Sequence, residues 1–203
     1  KVDCSGCHEA EVKEHAASLH GKAMKRGDAL APTCASCHGM HDIRKVKDPL
    51  SPVYPLRIPF TCGKCHQEGT AVMRQRAIHQ DHILENYSES IHGEGLLKKG
   101  LVVSANCASC HTAHNIRAHT DTESSIARGN IAKTCTQCHA QIEAVHRKVI
   151  KGELWEKEAH VLPACIDCHQ PHKVRKVFYT QGMADRDCLK CHQPHTSTHA
   201  KLL

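Results

Sequence analysis

The chain has 203 residues, with 14 cysteines, 20 histidines and six aromatic residues (one Trp, three Tyr, two Phe), and a formal charge of +6. Aromatic side chains normally dominate core burial, so this composition excludes an ordinary aromatic-rich globular core. No run approaches the roughly 18 apolar residues of a membrane helix, which excludes a transmembrane span.

In chain order, the first cysteine pair gives Cys4, Cys7 and His8, written Cys-x-x-Cys-His. Residues 9–26 follow, rich in Ala, Glu, Lys and Leu, and are predicted helical; they contain "SLHG" at 18–21. The second site is Cys34, Cys37 and His38, opening "CASCHGMHDIR" at 34–44. Residues 47–61 hold four of the eight prolines and read as a loop. The third site, Cys62, Cys65 and His66, precedes a predicted helix at 70–92 that closes on "SIHG" at 90–93. The fourth, Cys107, Cys110 and His111, opens "CASCHTAHNIR" at 107–117, and the polar residues 119–133 read as another loop. The fifth, Cys135, Cys138 and His139, leads into a predicted helix at 140–160, with Ile142, Val145 and Val149 at helical spacing. The sixth is Cys165, Cys168 and His169, and the seventh Cys188, Cys191 and His192. No alternating strand pattern appears. The expected fold is mostly irregular with α-helices and little or no β.

These seven copies of CxxCH use all 14 cysteines. CxxCH is the attachment signature of c-type haem: two thiols form thioethers to the porphyrin, and the adjacent histidine is the proximal iron ligand. Zinc would need two pairs, or a pair plus two histidines, for each metal. Seven is an odd number of pairs, and zinc gives the following histidine no role. A disulfide framework would scatter single cysteines, and none stands alone. The expected cofactor is seven haems c.

One haem per roughly 29 residues leaves too little polypeptide to enclose each separately. Porphyrins would then supply the apolar bulk, with protein wound around them. The charge of +6 alone points to an anionic partner, but the propionates of seven haems turn the balance negative, and nucleic acid is excluded as a partner. Because c-type haem is attached on the exported side of the membrane, the expected protein is periplasmic or extracellular, its signal peptide removed.

The sites repeat. Cys34 to Cys107 and Cys62 to Cys135 both span 73 residues, and "TCGKCHQ" at 61–67 rhymes with "TCTQCHA" at 134–140. The unit is a two-haem module, at about 4–47, 62–118 and 135–176. The seventh site, 188–195, is half a module. All lie in one domain, 1–203.

Two contexts select second axial ligands from the remaining histidines. His41, His114, His172 and His195 each follow a proximal histidine by three residues, and His20, His92 and His160 close the predicted helices. Their number equals the number of haems, so every iron is expected to be bis-His. A histidine three residues past its own proximal ligand is too near to cap the same iron and is expected to reach a neighbouring haem. His15, His79, His82, His119, His146 and His199 are the reserve; His79 and His82 would share a helical face. Met24, Met40, Met73 and Met183 share no context that marks a ligand.

CxxCHxxH sites interleaved with "SxHG" resemble the multihaem c-type cytochromes of metal-respiring and related bacteria and archaea. The resemblance covers the chain as far as its haem sites do. It implies haems stacked in alternating parallel and T-shaped pairs that pass electrons along a row, with other cytochromes or redox proteins as partners. Some members polymerise into extracellular filaments, and a homopolymer is one expected assembly; an electron-delivering subunit or shuttle for a redox enzyme is the alternative. Multihaem nitrite, hydroxylamine and tetrathionate enzymes share these motifs but keep an open or lysine-ligated iron. Here each CxxC is followed by His, so no catalysis is expected.

Overall fold

The computed structural model describes residues 3–140 and 164–175. Among them the elements are α1 (Glu9–Ala17), α2 (Leu19–Lys25), α3 (Cys34–His38), α4 (Ile58–His66), α5 (Ala71–Gln75), α6 (Ile83–Ser88), α7 (Ile91–Gly93), α8 (Cys107–His111), α9 (Ile131–Thr136) and α10 (Cys165–Cys168). A π-helical turn, Glu94–Lys98, continues α7. There is no strand among the described residues, and none of their helices is long and apolar enough to cross a membrane.

The helices are short because the sequence interrupts them. α1 begins well, with Glu9 and Glu11 in its first turn, where carboxylates favour the helix dipole. The expected helix 9–26 nevertheless breaks at Ser18, which is extended (φ −73°, ψ 169°) and caps α2 instead. Likewise 70–92 is three helices rather than one. Residues 76–82 leave the helix: Arg76 turns to hold Asp28, with Nε to Oδ2 at 3.0 Å, and His82 adopts a left-handed φ of 51°. His79 and His82 therefore share no helical face. The predicted loops also end early, α4 starting at Ile58 with Pro59 in its first turn, where a missing N–H costs nothing, and α9 starting at Ile131. Residues 141–160 lie outside the described residues.

Local contacts recur at the 73-residue spacing. Thr61 Oγ1 donates to the Pro52 carbonyl at 2.7 Å, and Thr134 Oγ1 to the Ser125 carbonyl at 2.6 Å. Arg44 pairs with Asp48 at 3.1 Å, and Arg117 with Asp121 at 3.0 Å. The Thr33 N–H donates to Ser36 Oγ and the Asn106 N–H to Ser109 Oγ, at 3.0 and 3.1 Å. Successive repeats are tied by backbone: the Leu19 N–H donates to the Ile116 carbonyl at 2.8 Å, and the Ile91 N–H to the Val174 carbonyl at 2.7 Å.

The polypeptide alone buries little apolar surface. Among the described residues the buried apolar side chains are Pro59, Tyr87, Leu96, Ala127, Ile131 and Ala164, while Met40, Ile43, Val46, Leu50, Phe60 and Val103 stand more than half exposed.

Candidate haem-binding row

Each described CxxCH folds as a helical turn. The helix carries it at α3, α4 and α8; at the first, fifth and sixth sites the histidine N–H donates to the first cysteine's carbonyl (His8 to Cys4, His139 to Cys135, His169 to Cys165) at 3.0, 3.0 and 2.8 Å. Positions i, i+3 and i+4 of a helix share a face. Two thiols and an imidazole are thereby presented to one ligand.

The sites lie side by side in chain order. Cys4 lies beside Cys34, Cys62 beside Cys107, and Cys135 beside Cys165, near enough for each thiol to shift its neighbour's titration. Between these pairs the thiol of Cys37 is raised by burial and then by Cys62 and Cys65, and that of Cys110 by burial and then by Cys135 and Cys138. Sites one to six thus form a continuous series with two alternating kinds of neighbour contact.

The structure also brings histidines from distant segments together in pairs. Ring centroids are 6.1 Å apart for His20 and His66, 6.1 Å for His38 and His114, 6.0 Å for His92 and His139, and 5.9 Å for His111 and His172. These rings are too far apart to touch and too regular in spacing to be incidental. A metal–imidazole bond is about 2 Å, and two such bonds plus half a ring on each side give a separation of roughly 6 Å. The residues present therefore fit an iron between each pair. Among the described residues no group of three or more His, Cys, Asp or Glu gathers as a metal-binding cluster. A cavity of about 330 Å³ opens beside Cys65, with Leu30, Pro32, Ala71 and Val72 on its walls.

Burial favours the neutral form of six of these imidazoles, the form a ligand must take. It pushes His20 down to about 4, helped by His66 and His15, and His111 down to about 4, helped by His172 and His66. Burial also lowers His66, His38, His92 and His172, with His114 adding at His38, His139 at His92 and His66 at His172.

The S-x-H-G segment explains how a histidine is aimed. Ser18 Oγ accepts from the Gly21 N–H at 3.0 Å and donates to the His15 carbonyl at 2.6 Å. Ser90 does the same with the Gly93 N–H and the Tyr87 carbonyl, at 3.0 and 2.6 Å. A Cβ on Gly21 would lie 1.9 Å from the His15 carbonyl oxygen, and one on Gly93 1.9 Å from that of Tyr87. His20 and His92 therefore open short capped helices rather than closing long ones. Ser18, Ser90, Gly21 and Gly93 were not singled out from sequence as working residues, although the rhyme of "SLHG" with "SIHG" marks them.

The third-position histidines depend on a backbone reversal. Gly39 (φ 86°) and Thr112 (φ 65°) both stand directly after the proximal histidine with ψ near 180°. The chain leaves the helix there, carrying His114 away from His111 toward His38. His8 and His41 face no ring among the described residues, and His41 is exposed. Cys188, Cys191, His192, His160 and His195 lie outside the described residues, as does the side chain of Cys168.

A model of the doubled CXXCH motif matches residues 181–203. The match indicates a c-type multihaem cytochrome-like protein. No curated protein and no solved structure matches the chain.

Proposed function

We propose that the chain is an electron conduit of seven covalently bound c-type haems, held by Cys4 and Cys7, Cys34 and Cys37, Cys62 and Cys65, Cys107 and Cys110, Cys135 and Cys138, Cys165 and Cys168, and Cys188 and Cys191. Bound haem would supply one-electron oxidation and reduction at iron. The protein's contribution is to fix the axial histidines and the order of the sites. The observation that carries the reading is the four imidazole pairs at 5.9–6.1 Å. Each pair joins a proximal histidine to a residue from an S-x-H-G or CxxCHxxH context.

In this reading His20 serves the third haem, His114 the second, His92 the fifth and His172 the fourth. Every paired iron is closed, so the chain conducts rather than catalyses. The scarcity of buried apolar side chains fits a protein whose core is porphyrin, arranged as two-haem modules. We further place the protein outside the cytoplasm, with other redox proteins as donor and acceptor. A filament is the extended form of this reading, because a series of sites in chain order needs only end contacts to become a wire.

Optical and electron-paramagnetic-resonance spectra of the holoprotein, with intact mass, test the reading. Seven haems by mass and a predominantly low-spin ferric spectrum are expected. His92→Ala should convert one haem to high spin, and an unchanged spectrum in that variant would overturn the assignment. Electron microscopy that shows only dispersed particles at high concentration would remove the filament form and leave the conduit.

A further inference from the structure

Resting on the bis-His reading, we propose that the edge carrying His8, Ile43 and His41 is a docking site for a further two-haem module of this same repeat, which inserts its own S-x-H-G histidine opposite His8. Among the described residues three positions on that edge have no partner, and all three call for the same one.

Within the chain each S-x-H-G helix makes two contacts to the following repeat. The first donates Leu19 N–H to the Ile116 carbonyl and sets His20 against His66. The second donates Ile91 N–H to the Val174 carbonyl and sets His92 against His139. Ile116 and Val174 both stand nine residues after the first cysteine of their sites, and the counterpart in the first repeat is Ile43. The Ile43 carbonyl accepts no hydrogen bond among the described residues, and its side chain is 65% exposed. His8, the counterpart of His66 and His139, is 69% exposed, has Glu11 at 4.0 Å, and faces no histidine ring among the described residues. One helix of this type would satisfy both.

The third position is a spare donor. His114 and His172 each reach back to the second haem of the preceding repeat, at His38 and His111. His41 occupies the same place in its motif, is exposed, and has Met40 beside it at 72% exposure. It would cap the second haem of the incoming module. The edge is thus a continuation of an interface the chain already forms twice.

The test uses the 203-residue holoprotein with two probes, free imidazole and a synthetic peptide of residues 83–98, which carries "SIHG". The expected result is a high-spin haem that the peptide converts to low spin at a concentration at least tenfold below that needed for imidazole, and that the peptide with His92→Ala leaves untouched. Deleting the first haem through Cys4→Ser, Cys7→Ser and His8→Ala should abolish the response, and mass and circular dichroism would show the other haems and the helices retained. Equal potency of peptide and imidazole would overturn docking at the edge. So would a fully low-spin monomer, because the chain would then supply its own ligand. Loss of the high-spin signal on concentration, abolished by His41→Ala, would also overturn the proposal, because the occupant would be a second copy's His41. Failure of the bis-His reading looks different: His20→Ala would then create no additional high-spin haem.

Discussion

A Cβ added to Gly93 would lie 1.9 Å from the carbonyl oxygen of Tyr87. That separation admits no side chain, and the obstacle is backbone on both sides. The same clash separates Gly21 from His15. Gly93→Ala should therefore move α7 and with it His92. Overpacking of this kind costs about 3 kcal/mol, and the spectral sign would be a high-spin haem at the His139 site. Urea unfolding followed by Soret absorbance measures both effects.

Ser90 closes the other side of the same turn. Ser90→Ala removes an N-cap, worth about 1 kcal/mol, and takes the 2.6 Å hydroxyl donor from the Tyr87 carbonyl, which keeps the Ser90 N–H at 3.0 Å. The expected loss is about 2 kcal/mol in total, with partial conversion of one haem to high spin. Ser90→Thr keeps the hydroxyl and should restore the low-spin spectrum, which an effect of lost volume alone would not do.

Thr112 holds a conformation suited to glycine, with φ 65° and ψ 171°, and its counterpart Gly39 shows why. A β-branched residue there stores about 1–3 kcal/mol of strain. Thr112→Gly should raise stability by about 1 kcal/mol after the entropic cost of glycine, and Gly39→Ala should lower it by a similar amount. Thermal unfolding of the two variants checks the opposite signs.

The proposed axial imidazoles predict an acid limit. Burial holds His20 and His111 at about 4, below the value of about 6.5 for an unfolded histidine. Between those values the unfolded chain binds more protons, so these groups make stability rise with pH across the window and fall as pH drops from about 6.5 toward about 4. A bound haem iron would compete for the same lone pair and move the loss lower still. The holoprotein should stay low-spin at pH 5 and turn high-spin below about pH 4, as a pH titration of the Soret band would show.

Much of the candidate site was legible because covalent attachment is local. A CxxCH motif carries its own geometry within one helical turn, and the 73-residue rhyme exposed the repeat without any knowledge of packing. The helices were less legible. Ser18 reads as an acceptable helix residue in a run of Ala, Glu and Lys, yet its hydroxyl is worth more as a cap. Residues 76–82 contain no proline or glycine to announce a break, and it takes Arg76 reaching Asp28, 48 residues away, to fix one.

By itself the sequence determined the candidate binding residues: the cysteine pairs, the histidines beside them, and a short list for the opposite face. Only the tertiary structure decided which histidine meets which. His20 crosses to His66, and His114 turns back to His38. Such partners are tens of residues apart, so nothing in local propensity or periodicity specifies them. They are chosen where a capped turn, a glycine too close for a side chain and a backbone hydrogen bond between repeats hold two imidazoles about 6 Å apart, with room for a metal between them.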